Sequence, residues 1–214
     1  RDRRDALAAA VADLGDPDAD LEAARRDKAA LLADLGDPRG EELGRLAEER
    51  GDAVADEREV VEAIEATEQA AAWLLEADAM LSKATDWGTW DMFGGGMMTS
   101  MAKQGRMRDA RDAMQHAAAA LRVLDDELAD VAADVRDAPS LDTHGLTGMM
   151  DVFFDNIITD FTVQGRIRDA RETVHGVRQQ VAEVAQQLGH AARGLAERLD
   201  QLDARRTGLL DQPG

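Results

Sequence analysis

Residues 104–135 read QGRMRDARDAMQHAAAALRVLDDELADVAADV, and residues 164–195 read QGRIRDARETVHGVRQQVAEVAQQLGHAARGL. The apolar row of the first is Met107, Ala110, Met114, Ala117, Leu121, Leu124, Leu128, Val131 and Val135. That of the second is Ile167, Ala170, Val174, Val177, Val181, Val184, Leu188, Ala191 and Leu195. Both rows advance by alternating steps of three and four residues. This spacing draws one stripe along an α-helix and follows the a/d heptad rule of a coiled coil, whereas a strand would need period two. Many seam positions are Ala, which lets neighbouring helices approach closely.

The two rows are offset by 60 residues, and the correspondence extends upstream. Residues 81–113 align with 141–173 without a gap, and 12 of the 33 positions are identical, among them Gly88/Gly148, Asp91/Asp151, Phe93/Phe153 and the Gln-Gly-Arg of each copy. Met92, Met97, Met98 and Met107 stand opposite Val152, Ile157, Ile158 and Ile167, so apolar character is kept. The pattern predicts an internal 60-residue duplication, with copies at about 81–137 and 141–207. Each copy is an apolar segment, a Gln-Gly-Arg turn and a long heptad helix.

Towards the N-terminus, Ala12-Asp13-Leu14-Gly15-Asp16-Pro17 recurs as Ala33-Asp34-Leu35-Gly36-Asp37-Pro38. Each copy reads as a helix junction: Gly takes the left-handed position after a last turn, Asp caps the next helix, and Pro occupies its first position. Helices are expected at 2–14, at 17–35 and from Pro38 to about Lys83. The third would span about 70 Å at about 1.5 Å per residue. Its seam is imperfect: Leu46, Ala53, Val60, Ile64, Ala71, Leu74 and Leu81, interrupted by Arg50, Glu57 and Asp78. The chain therefore divides into short N-terminal helices over 1–37 and a helical bundle over 38–214. Its expected class is all-α, an elongated antiparallel bundle of coiled-coil type.

Composition narrows the function. The net charge of −19 opposes binding to a phosphate backbone or an anionic membrane surface, so neither nucleic acid nor membrane is an expected partner. There is no Cys, which removes disulfides, thiolate metal sites and Cys nucleophiles and fits a reducing, cytoplasmic setting. No apolar run is long enough to span a bilayer. The first residue is Arg, as expected of a fragment or processed chain.

The segment joining the long helices is chemically distinct. The first copy runs Trp87-Gly88-Thr89-Trp90-Asp91-Met92-Phe93-Gly94-Gly95-Gly96-Met97-Met98, and three successive Gly would cost about 2–3 kcal/mol inside a helix. They serve either close approach of a neighbouring helix or Trp ring, or a turn, or, in a second reading, an anion held by bare backbone N–H groups. No Gly-Lys-Ser/Thr follows, so this is not a P-loop. Trp and Met are adaptable contact residues as well as core residues. Trp87, Gly88, Trp90, Asp91, Phe93, Gly94, Gly95, Gly96, Met97 and Met98 are therefore the candidate partner-binding residues, with helix capping the competing role for Asp91. The same stretch, followed by Lys103 and Gln104, resembles a segment of bacterial coiled-coil proteins of unassigned function. That resemblance covers 20 to 30 residues and implies no activity or ligand.

Catalytic candidates are sparse. Glu172 and His175 have the Glu-x-x-His spacing of ferritin-like bundles, but the corresponding residues of the other copy are Asp112 and Gln115, so the paired ligand set is missing. The Arg106/Arg108/Arg111 and Arg166/Arg168/Arg171 clusters are interleaved with Asp109 and Asp169 and are expected to form ion pairs within and between helices. The sequence thus points to a non-catalytic structural or protein-interaction module, without metal or cofactor. Its partner would be another protein or a second copy, a homodimer included. A small-ligand or metal-binding bundle and a peripheral membrane-associated coiled coil are the alternatives.

Overall fold

The structure, a computed structural model, describes residues 17–86, 97–135 and 166–213. These residues form an all-α helical bundle of four helices, with no strand among them. They are α1 (Pro17–Asp34), α2 (Pro38–Asp86), α3 (Met97–Asp134) and α4 (Arg166–Asp211). No described helix is long and apolar enough to cross a membrane.

The α1–α2 junction follows from its six residues. Gly36 sits at φ 66°, in the left-handed region that a side chain disfavours. Its N–H donates to the Ala33 carbonyl (3.1 Å), and the Asp37 N–H donates to the Leu32 carbonyl (3.0 Å), the crossed pair of bonds of a Schellman ending. Asp37 then caps α2: its Oδ1 accepts the Arg39 N–H at 2.8 Å, with Pro38 at the first helical position. The earlier copy of this motif, and the expected helix at 2–14, lie outside the described residues.

Arg39 also returns its side chain to the cap, its Nε and Nη2 donating to the two Asp37 oxygens at 3.0 and 2.8 Å. These bonds, with the Arg39 backbone N–H, hold the Asp37 carboxyl down at about 2. A carboxyl with a depressed folded pKa stabilises the fold above its unfolded value and loses that contribution as pH falls towards the folded value. The junction is therefore expected to weaken between about pH 4 and pH 2. Asp37→Asn keeps a capping oxygen without the titration, so acid melting curves of the two proteins should converge across that window.

The chain groups into two compact units. One comprises residues up to Val54 with Glu197–Gly214, and the other Ala55–Ala196. In the first, Leu32, Leu43 and Leu210 pack together, and Leu46, Ala53 and Leu202 form a second cluster. Here α1 grips the end of α4: Lys28 Nζ donates to the Leu210 and Gln212 carbonyls, both at 2.6 Å. The last turn of α4 has no basic residue of its own, so a cation from α1 satisfies carbonyls that a helix end leaves open. Arg205 meets Glu42 (2.8 Å) and Arg50 meets Asp203 (2.9 Å) on the same surface.

The larger core belongs to the second unit, where α2, α3 and α4 bury one continuous cluster from Val60 to Leu195. The seams expected for α3 and α4 are its rows: every residue named for them is buried except Met107, which is half-buried. Ala113, Ala118 and Ala120 widen the buried face of α3. In this unit α2 and α3 run antiparallel, since Trp73 stacks on His116 while Glu62 and Glu127 line one groove farther along.

Two expectations are corrected. The seam of α2 keeps Leu46, Ala53, Val60, Leu74 and Leu81 of the expected line, all buried, but departs from it at two positions: Ala63 and Ala70 are buried beside Thr67 and Ala77, whereas Ala71 is exposed and Ile64 half-buried. Ala63 and Ala70 are fully buried in the core cluster, and bulkier Ile64 packs against it only in part. Thr67 enters the row because its Oγ1 donates to the Ala63 carbonyl at 2.7 Å, which satisfies the hydroxyl inside its own helix. Asp56, seven residues before Ala63, is the row's other buried polar member. Second, Gln104-Gly105-Arg106 is not a turn. It lies inside α3, which begins at Met97, and Gly105 has open space around it.

Candidate functional site

The candidate partner-binding residues Trp87, Gly88, Trp90, Asp91, Phe93, Gly94, Gly95 and Gly96 lie outside the described residues. So does the equivalent segment 141–165 with Asp151. Met97 and Met98 open α3, but their side chains are likewise outside the description. Two surface features of the second unit carry functional groups.

The first is a groove of about 520 Å³ between α2 and α3, lined by Glu62, Glu65, Ala66, Glu68, Gln69, Val123 and Glu127. Heptad packing makes it: turning the Val60-to-Leu81 row inwards leaves positions 62, 65 and 69 along the rim. Ala66 is too small to fill the space beside α3. Val123 is 45% exposed there, so an apolar floor lies between carboxylate walls. Arg58 meets Glu59 at 2.5 Å and Glu62 at 3.6 Å. The Glu127 carboxyl is pushed above the ordinary range, first by partial desolvation and then by the charges of Glu62, Asp130, Glu59 and Asp126.

A raised carboxyl pKa means that ionisation opposes folding, so stability lost above the unfolded value returns as pH falls through the folded one. Glu127→Gln is expected to raise the melting temperature by about 1–2 °C near pH 7 and to have no effect near pH 3. An equal gain at both pH values would show that charge is not the cause.

The second feature is a hollow of about 480 Å³ between α2 and α4, lined by Asp78, Arg168, Arg171, Glu172 and His175. Asp78, read in the sequence as an interruption of the seam, sits half-buried at the helix flank. It accepts from Arg171 Nε (3.3 Å) and Arg178 Nη1 (3.5 Å), so these arginines pair between helices. Glu172 and His175 share the hollow as exposed residues, and His175 Nε2 lies 3.4 Å from Gln179 Nε2. Among the described residues no group of three metal-ligating side chains converges.

His116 stacks on Trp73 with ring centroids 4.5 Å apart and an interplanar angle of 22°. Neither ring stood out as a pair in the sequence, because the contact depends on the register between α2 and α3. The groove was also hidden there, because Glu62, Glu65 and Glu68 are far in sequence from Glu127. No family model matches this sequence, and no curated protein or solved structure matches it either.

Proposed function

We propose that the chain is a non-catalytic structural or protein-interaction module that assembles with a protein partner or with a second copy of itself. The observation that carries this reading is the groove between α2 and α3. An apolar floor of Ala66 and Val123 between Glu62, Glu65, Glu68 and Glu127 suits an elongated cationic protein surface. We read α3 and α4 as two copies of one coiled-coil repeat, a reading supported by burial of the same seam at a 60-residue offset. On this view the Trp87–Met98 segment, placed between two long helices, is a further contact surface. A reducing compartment such as the cytoplasm suits a chain without Cys.

The hollow at Asp78, Arg168, Arg171 and His175 favours a second reading, a bundle that takes a small anionic ligand. Asp78 and Glu172 stand in the same hollow and oppose an anion, which ranks this reading lower.

Solution mass by light scattering, with circular dichroism, tests the proposal on the wild type, Trp90→Ala and Glu65→Lys/Glu68→Lys. An assembled wild type and a folded variant of lower mass support it and identify the surface. A monomeric wild type whose Trp90→Ala form loses helix makes the segment core and removes it as a contact.

A further inference from the structure

Two surfaces of the second unit complement each other in charge and spacing. One is the acidic groove between α2 and α3. Arg58 meets Glu59 and Glu62 there, but Glu65, Glu68 and Glu127 meet no cation among the described residues. The floor is apolar, with Ala66 buried and Val123 exposed. Partial desolvation, and then the like charges around it, push the Glu127 carboxyl upwards, as expected of a groove that lacks a cation.

The other surface is the face of α3 turned away from the core. Arg108, Arg111, Gln115, Ala119 and Arg122 advance along it by steps of three and four, and all five are exposed. In α4, 60 residues after Arg111, Arg171 reaches Asp78 of α2. Arg108 and Arg111 have no such acid among the described residues. Asp112 stands at the edge of this face and Asp126 one turn beyond Arg122. Gln115 and Ala119 carry no charge and leave the middle of the face low.

We propose that this arginine face of α3 docks in the α2–α3 groove of a second copy of the chain. The proposal rests on the reading of the chain as an assembly module. Glu65 and Glu68 stand three residues apart, as do Arg108 and Arg111, a rise of about 4.5 Å in either helix. A helix laid along the groove therefore brings both arginines level with both glutamates at once. Each arginine lays its methylene stem over Ala66 and Val123 while its guanidinium reaches a carboxylate. The formal charge of −19 sets copies against one another at long range, so only a locally basic face suits the groove. Face and groove are unlike surfaces, so the contact is head-to-tail and each added copy offers its own groove to the next.

Charge exchange tests this on the full chain. The mass of the wild type by light scattering should rise between micromolar and millimolar concentration. Glu65→Lys/Glu68→Lys and Arg108→Glu/Arg111→Glu change exposed positions only, so both variants should keep their helix by circular dichroism. Each should associate at least about tenfold more weakly than the wild type. An equimolar mixture of the two should regain association, because the lysine groove takes the glutamate face and the native groove takes the native face. The chain carrying all four changes should regain it as well. A wild type that stays monomeric at every concentration overturns the docking, while assembly with a different protein still stands. An assembled wild type that neither variant weakens overturns it and moves the self-contact to another surface. Loss in both variants without recovery in the mixture overturns the pairing of this face with this groove.

Discussion

Gly40→Ala is expected to destabilise the first unit by about 2 kcal/mol, while the same change at Gly44 or Gly51 stabilises it. All three glycines lie in α2, where Ala is the better helix former by about 1 kcal/mol. Gly44 and Gly51 have nothing within 4 Å of an added Cβ, so that gain should appear almost undiminished. At Gly40 an added Cβ would lie 2.7 Å from the Ala33 nitrogen, 2.8 Å from its Cα and 2.8 Å from the Leu32 carbonyl carbon. These are backbone atoms of α1 and cannot rotate aside. Overpacking of this kind costs about 1–3 kcal/mol or more and here outweighs the propensity gain. Thermal melting and amide exchange of α1 read the result. A stabilising Gly40→Ala would mean that α1 and α2 are not in close contact at the junction.

Ala70→Glu and Ala71→Glu should differ more widely still. Ala70 is fully buried in the core of the second unit, and Ala71, the next residue, is exposed. A glutamate at position 70 must take a charge out of water without a partner or give it up by protonation, at a cost of about 3–5 kcal/mol. At position 71 the same side chain points to solvent and should change stability by less than about 0.5 kcal/mol. Urea unfolding of both variants decides the register of α2. Should Ala71→Glu prove the damaging change, Ile64 and Ala71 line the core and Ala63 and Ala70 do not.

That pair marks where sequence reading of the fold ran out. The seams of α3 and α4 were legible because Leu, Val, Ile and Met fill most of their heptad positions, so hydropathy alone marks the inner face. In α2 the inner row contains Ala63, Thr67, Ala70, Ala77 and Asp56, while Ile64 and Leu75 stand outside it. Ala is apolar on any face, and Thr67 hides its hydroxyl within its own helix. Side-chain character therefore carries little information there. The inner face is the one packed against α3 and α4 in the shared core cluster. The Gln-Gly-Arg motif misled for a related reason: a lone Gly weakens a helix by about 1 kcal/mol without ending it.

The functional surface was legible in a different way. Trp87 to Met98 stood out by composition, and the structure neither adds to nor removes from that reading, since those side chains lie outside it. The acidic groove did not stand out, because Glu62, Glu65, Glu68 and Glu127 become a group only when α2 and α3 are placed side by side.

By itself, then, the sequence determined the helical class, the seams of α3 and α4, and the Gly36-Asp37-Pro38 junction, all local consequences of periodicity and backbone preference within a few turns. Only the tertiary structure decided which face of α2 is buried, why Gly40 must lack a side chain, and that Lys28 closes the end of α4. These are contacts between segments far apart in the chain, and their outcome is set by helix separation and register, which no local pattern encodes.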